Sequence, residues 1–207
     1  MSSETTYRKA LKEQILTTAI RSFAAQGIKA VKMDDIASNL SISKRTLYEI
    51  YANKEILVFE CIKSYKQRVE QVFQEKVAAC SNVIGIILQF YLLKAEESKK
   101  TNPLFYQDMV KYPQIVRFLH QDKQKNHQRF RLFLERGMAE GYFRSDIKCE
   151  LVVQTFEALG EHMKRQSLYS LYSFDELFFN IYIVMLRGIS TPQGIEELDK
   201  NLTQLSV

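Results

Sequence analysis

Met33-Asp34-Asp35-Ile36-Ala37-Ser38-Asn39-Leu40-Ser41-Ile42-Ser43-Lys44-Arg45-Thr46-Leu47-Tyr48 reads as two short helices joined by a tight link. Met33, Ile36, Ala37 and Leu40 recur at three- and four-residue spacing, which gives the first helix one apolar face. Asp34 and Asp35 stand in its first turn, where the helix dipole favours negative charge. Ser43 is placed to cap a second helix, Lys44 to Tyr51, with Leu47 and Ile50 facing inward. Its opening turn presents Lys44, Arg45 and Thr46, with Tyr48 one residue beyond Leu47. Two short helices of this kind, the second opening with basic and hydroxyl side chains, form a helix-turn-helix. A helix fits the major groove of DNA, and its N-terminal residues then reach base edges and phosphates.

The pattern extends in both directions. Upstream, Leu11, Ile15, Ala19 and Phe23 repeat every four residues beside Leu16 and Ile20, predicting a helix from about Thr6 to Gln26 that stops at Gly27. Downstream, Asn53 caps a fourth helix with Lys54 at its first position. Val58, Ile62, Tyr65, Val69 and Val72 carry that helix to about residue 77, long enough to connect a small module to the rest of the chain.

Gly27-Ile28-Lys29-Ala30-Val31-Lys32-Met33-Asp34-Asp35-Ile36-Ala37, Ser43-Lys44-Arg45-Thr46-Leu47-Tyr48, Tyr51 and Asn53-Lys54-Glu55-Ile56-Leu57 together resemble the N-terminal domain of TetR/AcrR-type (tetracycline-repressor-like) transcriptional regulators. The likeness covers about residues 10 to 60. It implies that Lys44, Arg45, Thr46 and Tyr48 are recognition-helix contacts, that Tyr51 joins the DNA-binding set, and that Lys54 meets a phosphate. Three positions depart from the family pattern. Lys32 stands where a threonine usually caps the second helix, and an ammonium cannot accept that bond; Asp35 can compensate through the dipole. Ser41 replaces the usual turn glycine and is expected to take up positive φ. Arg45 fills a position that is often small, and either contacts a guanine or phosphate or points to solvent. Tyr48 either faces DNA or packs on the neighbouring helix.

Composition agrees with a helical chain and narrows the function. Only ten of the 207 residues are glycine or proline, too few for the turns of a sandwich, barrel or doubly wound sheet. The seven glycines offer neither a GxGxxG nor a GxxxxGK[ST] phosphate cradle. Cys61, Cys80 and Cys149 are odd in number and widely spaced, consistent with buried apolar roles in a reducing compartment. His120, His127 and His162 form no metal-binding pair, and there is no GxSxG elbow. No enzyme activity, cofactor or metal site is therefore expected. No apolar run approaches the 18 or so residues that span a bilayer, and Met1-Ser2-Ser3-Glu4 lacks the basic flank of a signal peptide. A cytoplasmic protein with no membrane partner is expected.

Net charge is +5, with a pI of about 9.0, which permits nucleic-acid binding without locating it. Residues 1–60 carry nine basic and seven acidic side chains, whereas Lys111 to Arg136 carry seven basic and two acidic. A search for the basic patch alone would point to the wrong stretch.

Beyond residue 80, helices are predicted over Asn82–Glu97, from Pro103 to about Tyr112, from Pro113 to about Glu140, and from about Lys148 onward. The stretch from His120 to Arg129 lacks apolar residues. It either rims the molecule in solvent or forms a basic wall for an anionic ligand, with His120, His127 and Arg129 as candidates. Ser173-Phe174-Asp175-Glu176 is a capping box opening the last major helix, on which Phe178, Tyr182, Met185 and Ile189 form one stripe and Leu177, Ile181, Val184 and Gly188 another. Such a wide apolar surface suggests an isologous dimer, with Val152, Phe156, Phe178, Tyr182 and Met185 as interface candidates. Phe105, Tyr106, Met109, Tyr112, Phe133, Phe156 and Met163 are candidates to line the ligand cavity usual in the family, although such a stripe equally describes ordinary core. A short helix over Ile195–Leu202 is expected near the end.

The expected architecture is all-α: a helix-turn-helix domain over 1–53 and a larger helical ligand-binding and dimerisation domain over 54–207. The expected function is that of a ligand-responsive repressor. It would bind double-stranded DNA at a palindromic operator as a homodimer and be released by a small-molecule effector. A helical small-molecule-binding protein, or an activator without inducer release, is the alternative.

Overall fold

A computed structural model describes residues 3–121 and 123–203. Helices α1 (Ser3–Gln26), α2 (Met33–Asn39), α3 (Lys44–Ile50) and α4 (Lys54–Ala78) are followed by α5 (Val83–Lys100), α6 (Pro103–Met109) and α7 (Pro113–Gln121). Then come α8 (Lys123–Ala139), α9 (Cys149–Arg165) and α10 (Leu168–Leu171). The last stretch is α11 (Phe174–Leu177), a π-helical segment (Phe178–Tyr182), α12 (Ile183–Ile189) and α13 (Pro192–Thr203). Among the described residues there is no strand; a single antiparallel bridge joins Phe143 and Ser190. The helix expected to run from Pro113 to about Glu140 is observed as α7 and α8 on either side of residue 122, which lies outside the described residues, as do 204–207 at the end of the tail.

Packing divides the described chain differently from a cut at 53/54. Residues up to Gln71 together with Lys100–His120 form one compact unit, and Val72–Lys99 with the residues from Gln121 onward form another. In the first unit the predicted stripe of α1 is buried, with Ile15, Ala19 and Phe23 fully enclosed. It packs with Ile36 of α2, Leu47 of α3, Leu57 of α4 and Ile115 of α7. A fully buried side chain of this size contributes roughly 1.5–3 kcal/mol, so the helix-turn-helix is anchored by its inward face. The core of the second unit is built on Val83, Ile84, Leu134, Phe143, Val153 and Phe178.

Helix α6 belongs to the first unit through specific hydrogen bonds. α1 ends at Gly27, with φ of 87°, leaving terminal carbonyls in need of donors. The Asn102 backbone N–H donates to Ala24 O at 2.7 Å, and its side-chain amide to Ala25 O at 3.3 Å. At the other end of α6, Asp108 accepts the backbone N–H of Lys29 at 2.8 Å. Residues from both ends of α6 thus complete the end of α1 and the loop that enters α2.

Cap geometry follows the sequence closely. Lys32 makes no side-chain cap, and Asp35 instead accepts the Lys32 backbone N–H at 2.8 Å, a directed bond beyond the dipole effect expected of it. Ser41 has φ of 53°. Its N–H bonds to Ser38 O and that of Ile42 to Ala37 O, both at 3.0 Å, a Schellman motif with serine where glycine is usual. The Ser173 capping box is formed, with Ser173 Oγ accepting from Glu176 N at 3.1 Å and Glu176 accepting the Ser173 N–H at 2.8 Å.

The last major helix departs from the predicted register. Its π-helical turn, Phe178–Tyr182, inserts five-residue spacing, so burial passes from Leu177 and Phe178 to Ile183 and Leu186. Val184, assigned to a stripe with Leu177, is 60% exposed. Phe178 was expected at a dimer interface; it is 1% exposed and enclosed by its own chain, against Tyr91 with ring centroids 4.6 Å apart. It is a core residue, and the apolar surface of these helices is offered instead by Val184 of α12 and Leu151 of α9.

Candidate nucleic-acid interface

The start of α3 is organised by Ser43. Its hydroxyl oxygen accepts the Thr46 N–H at 3.0 Å and lies 2.8 Å from the Thr46 hydroxyl, satisfying an otherwise unpaired first-turn donor. With Leu47 in the core, helical spacing turns Lys44, Arg45 and Tyr48 outward. All three are exposed, Thr46 partly so. Tyr48 is therefore free to face a partner rather than being packed on the neighbouring helix.

Each cation of this turn already has an acidic neighbour. Lys44 forms an ion pair with Asp34 of α2, and Arg45 pairs with Glu49 one turn on, Nε to Oε1 2.8 Å. These hydrogen-bonded carboxylates hold both cations above their ordinary pKa values. Arg45 is 88% exposed at its side chain, and open pairs of this sort are weak. Both cations are thus positioned yet easily exchanged to phosphates or base edges. Asp34 thus serves the α2 dipole and the Lys44 pair together, and the four-residue spacing of Arg45 and Glu49 is the local signature of the second pair.

Tyr51 is a correction to the expected contact set. It is 6% exposed and part of the first core, and burial pushes its phenol up to about 12. Its aromatic ring stabilises the module from within. Lys54 sits at the first position of α4, where Asn53 Oδ1 accepts the Ile56 N–H at 2.9 Å. Its ammonium donates to Lys29 O at 3.4 Å. Partial burial lowers its pKa, against the raising effect of Asp108 and Asp35.

Lys29, Lys54, Asp108, Lys111 and Tyr112 line a cleft of about 190 Å³ in the first unit. Asp108, 7% exposed, bonds Lys111 Nζ through Oδ1 at 2.8 Å while Oδ2 takes the Lys29 N–H. The Lys111 hydrogen bond, then the Lys29 backbone bond, hold its carboxyl below the usual range. Nothing in local sequence spacing signalled this grouping, since Lys29 and Asp108 are 79 positions apart.

The other candidates distribute between the units. Phe105, Met109 and Tyr112 belong to the first core, and Tyr106 meets Phe105 edge-on with centroids 5.5 Å apart. Phe133 and Phe156 pack with the second core, and Met163 is fully buried. Val152, Phe156, Tyr182 and Met185 are partly buried. The polar stretch of α8 is largely exposed, as the solvent-rim reading expects. His127 does not offer itself to an anion: its ring nitrogens each lie 3.1 Å from a carboxylate, Glu157 at Nδ1 and Glu150 at Nε2. No helix of the described chain is long and apolar enough to cross a membrane.

Comparison with known proteins agrees with this geometry. Residues 15–61 match the family model of bacterial regulatory proteins, tetR family. The HTH-type transcriptional repressor KstR2 of Mycolicibacterium smegmatis is 26% identical over 149 residues, covering 68% of this chain and 71% of the relative. Among solved structures, the ketosteroid transcriptional regulator KstR2 of Mycobacterium tuberculosis aligns with a TM-score of 0.56 at 20% identity, over 87% of this chain and 95% of that one. A transcriptional regulator of Saccharomonospora viridis, solved with choline, aligns with a TM-score of 0.71 at 17% identity, over 88% and 99% respectively.

Proposed function

We propose, for a chain that belongs to the TetR family of bacterial transcriptional regulators, a homodimeric repressor that holds a palindromic operator and is released by a small-molecule effector. Its DNA-contacting residues are Lys44, Arg45, Thr46 and Tyr48 of α3 and Lys54 of α4. The observation that carries this reading is the Ser43-capped turn, which presents exposed cations and a tyrosine from a helix whose opposite face is locked in the core. Two such helices in a symmetric dimer would enter successive major grooves about 34–36 Å apart.

Effector control is supported by the bonds of Asn102 and Asp108 to the end of α1 and the loop after it. An effector that shifts α6 or tilts α4 would alter the placement of α3. It would weaken operator binding by its differential affinity for the two arrangements. The dimer seam is assigned to α9 and α12, where Leu151 and Val184 leave apolar side chains in the open. The protein would work in the cytoplasm, where its operator is.

Selection of bound duplexes from a random pool tests the reading. Enrichment of an inverted repeat with half-sites one helical turn, or a multiple of it, apart is the expected result. Recovery of unenriched sequence, bound no better than bulk duplex, would overturn it.

A further inference from the structure

We propose that Lys111, at the end of α6 and outside the helix-turn-helix, joins Lys29 and Lys54 in a single seat for one backbone phosphate of the operator. The three ammonium groups come from three separate segments: the loop entering α2, the first position of α4, and the residues after α6. With Asp108 and Tyr112 they line one cleft of about 190 Å³. That space equals roughly six water volumes at about 30 Å³ each, enough for a phosphate with some of its hydration.

The charge balance favours an anion. Three lysines line the cleft beside one carboxylate, Asp108, with Asp35 near enough to act on Lys54 as well; both Asp108 oxygens are already engaged, by Lys111 Nζ and by the Lys29 backbone N–H. Among the described residues no ion pair joins Lys29 or Lys54 to an acid, and the Lys54 ammonium has a single long bond to a carbonyl. Lysine carries three donors, so most of that capacity is unspent. Burial costs Lys54 part of its hydration, a cost that an anion in the cleft would offset. The 25-residue helix α4 begins at this point, and its dipole and first N–H groups favour negative charge there.

A backbone phosphate is the occupant chosen because the cleft lies in the unit that carries α3. The loop of Lys29 leads directly into α2, whose Asp34 holds Lys44 of the recognition helix. This inference rests on the DNA-binding reading above and extends it to a residue that follows α6. Asp108 then acts as a positioning residue: it fixes Lys111 at the cleft and, through Lys29, ties the same seat to the end of α1. A shift of α6 would move a DNA-contacting cation as well as reorient the helix-turn-helix.

The test is operator and unrelated-duplex binding by the full chain, measured by fluorescence anisotropy across salt concentrations from about 50 to 200 mM. The variants are Lys29→Gln, Lys54→Gln, Lys111→Gln and the Lys54→Gln/Lys111→Gln double. Each single change is expected to weaken both duplexes on the order of tenfold at low salt and to flatten the log–log salt slope by about one per protomer. The double variant should flatten it no further, because both lysines serve one phosphate. Lys29→Gln leaves the Asp108–Lys111 pair in place, so its loss of binding cannot be ascribed to that pair breaking. An unchanged slope for Lys111→Gln beside an altered one for Lys54→Gln would overturn the shared seat. So would an additive double variant, or tight binding of inorganic phosphate with DNA binding indifferent to Lys29 and Lys111. Failure of the wild type to bind any duplex specifically would instead remove the DNA-binding reading.

Discussion

In the first unit a buried carboxylate, Asp108, is surrounded by Lys29, Lys54 and Lys111; in the second a single imidazole, His127, is held between Glu150 and Glu157. The two arrangements invert each other, and local sequence charge predicts neither. The first sixty residues are nearly balanced, yet they carry unpaired lysines at a cleft and weakly held cations on α3. The stretch Lys111 to Arg136 is rich in basic residues; Lys111 belongs to the first unit and its cleft, whereas in the second unit Arg131 pairs with Glu135, Arg136 with Glu140, and His127 with two acids. A DNA-binding surface is marked by cations that can change partners, which is a property of packing rather than of composition.

The units differ in register as well. Helical spacing holds through α1 to α4, so the faces drawn on the sequence are the faces that are buried. In the second unit the π turn at Phe178–Tyr182 breaks that spacing. The sharpest way to test this contrast is to compare two substitutions on the same helical stretch. Phe178→Ala, within the aromatic cluster of Tyr91, Phe174 and Phe179, is expected to cost about 3–5 kcal/mol of stability, read by chemical denaturation. Val184→Glu, at an open position, should leave the folded protomer intact and yield monomers in sedimentation. If Phe178→Ala were nearly neutral in stability, its place in the core would be wrong; if Val184→Glu remained dimeric, the seam would lie elsewhere.

These differences explain what could be read in advance. The stripe Leu11, Ile15, Ala19 and Phe23, the Ser43 cap, the exposed first turn of α3 and the strain at Ser41 all depend on residues within one or two helical turns. Local spacing carries such information. Tyr51 is also local, but its burial depends on the helices that surround it, and a motif cannot report that. Asp108 depends on a partner 79 positions away. An apolar stripe describes core and interface alike, so Phe178 lies in the core although it was expected at the interface, and Val184 leaves its expected stripe because a π turn has no signature in a pattern read at 3.6 residues per turn.

A smaller effect distinguishes two helix ends built alike. α2 and α8 both finish in a Schellman motif, with paired bonds from residues 41 and 42 to 38 and 37, and from 141 and 142 to 138 and 137. The second places Gly141 at φ of 80°, the first Ser41 at 53°. A left-handed conformation costs a residue with Cβ roughly 1–2 kcal/mol, and the extra chain entropy of glycine takes back about 0.5–1 kcal/mol. Ser41→Gly is therefore expected to stabilise the protein by roughly 0.5–1 kcal/mol, a rise in melting temperature of about 1–4 °C. A loss of stability would mean that the serine is tolerated without strain and that the two ends are equivalent.

The smallest effect, and the one that reads the second unit's charge pattern directly, concerns His127. The Glu150 hydrogen bond is the main cause raising its pKa above the ordinary 6.5, with Glu157 adding to it and burial opposing. Because the folded value is the higher one, the α8–α9 pairing is fully present below the unfolded histidine value and is lost as pH rises through the raised folded value. Glu150, held below its ordinary 4.5 first by Gln154 and then by His127, sets the other limit: its contribution is lost as pH falls through its depressed value. The pairing is thus strongest in the interval between them. An NMR titration of the His127 ring should give a midpoint above that of the unfolded chain, and Glu150→Gln/Glu157→Gln should bring it back down. A midpoint indifferent to both carboxylates would mean that the imidazole is not held between them, leaving its charge available to an outside anion. The contrast with the lysine cleft would then disappear.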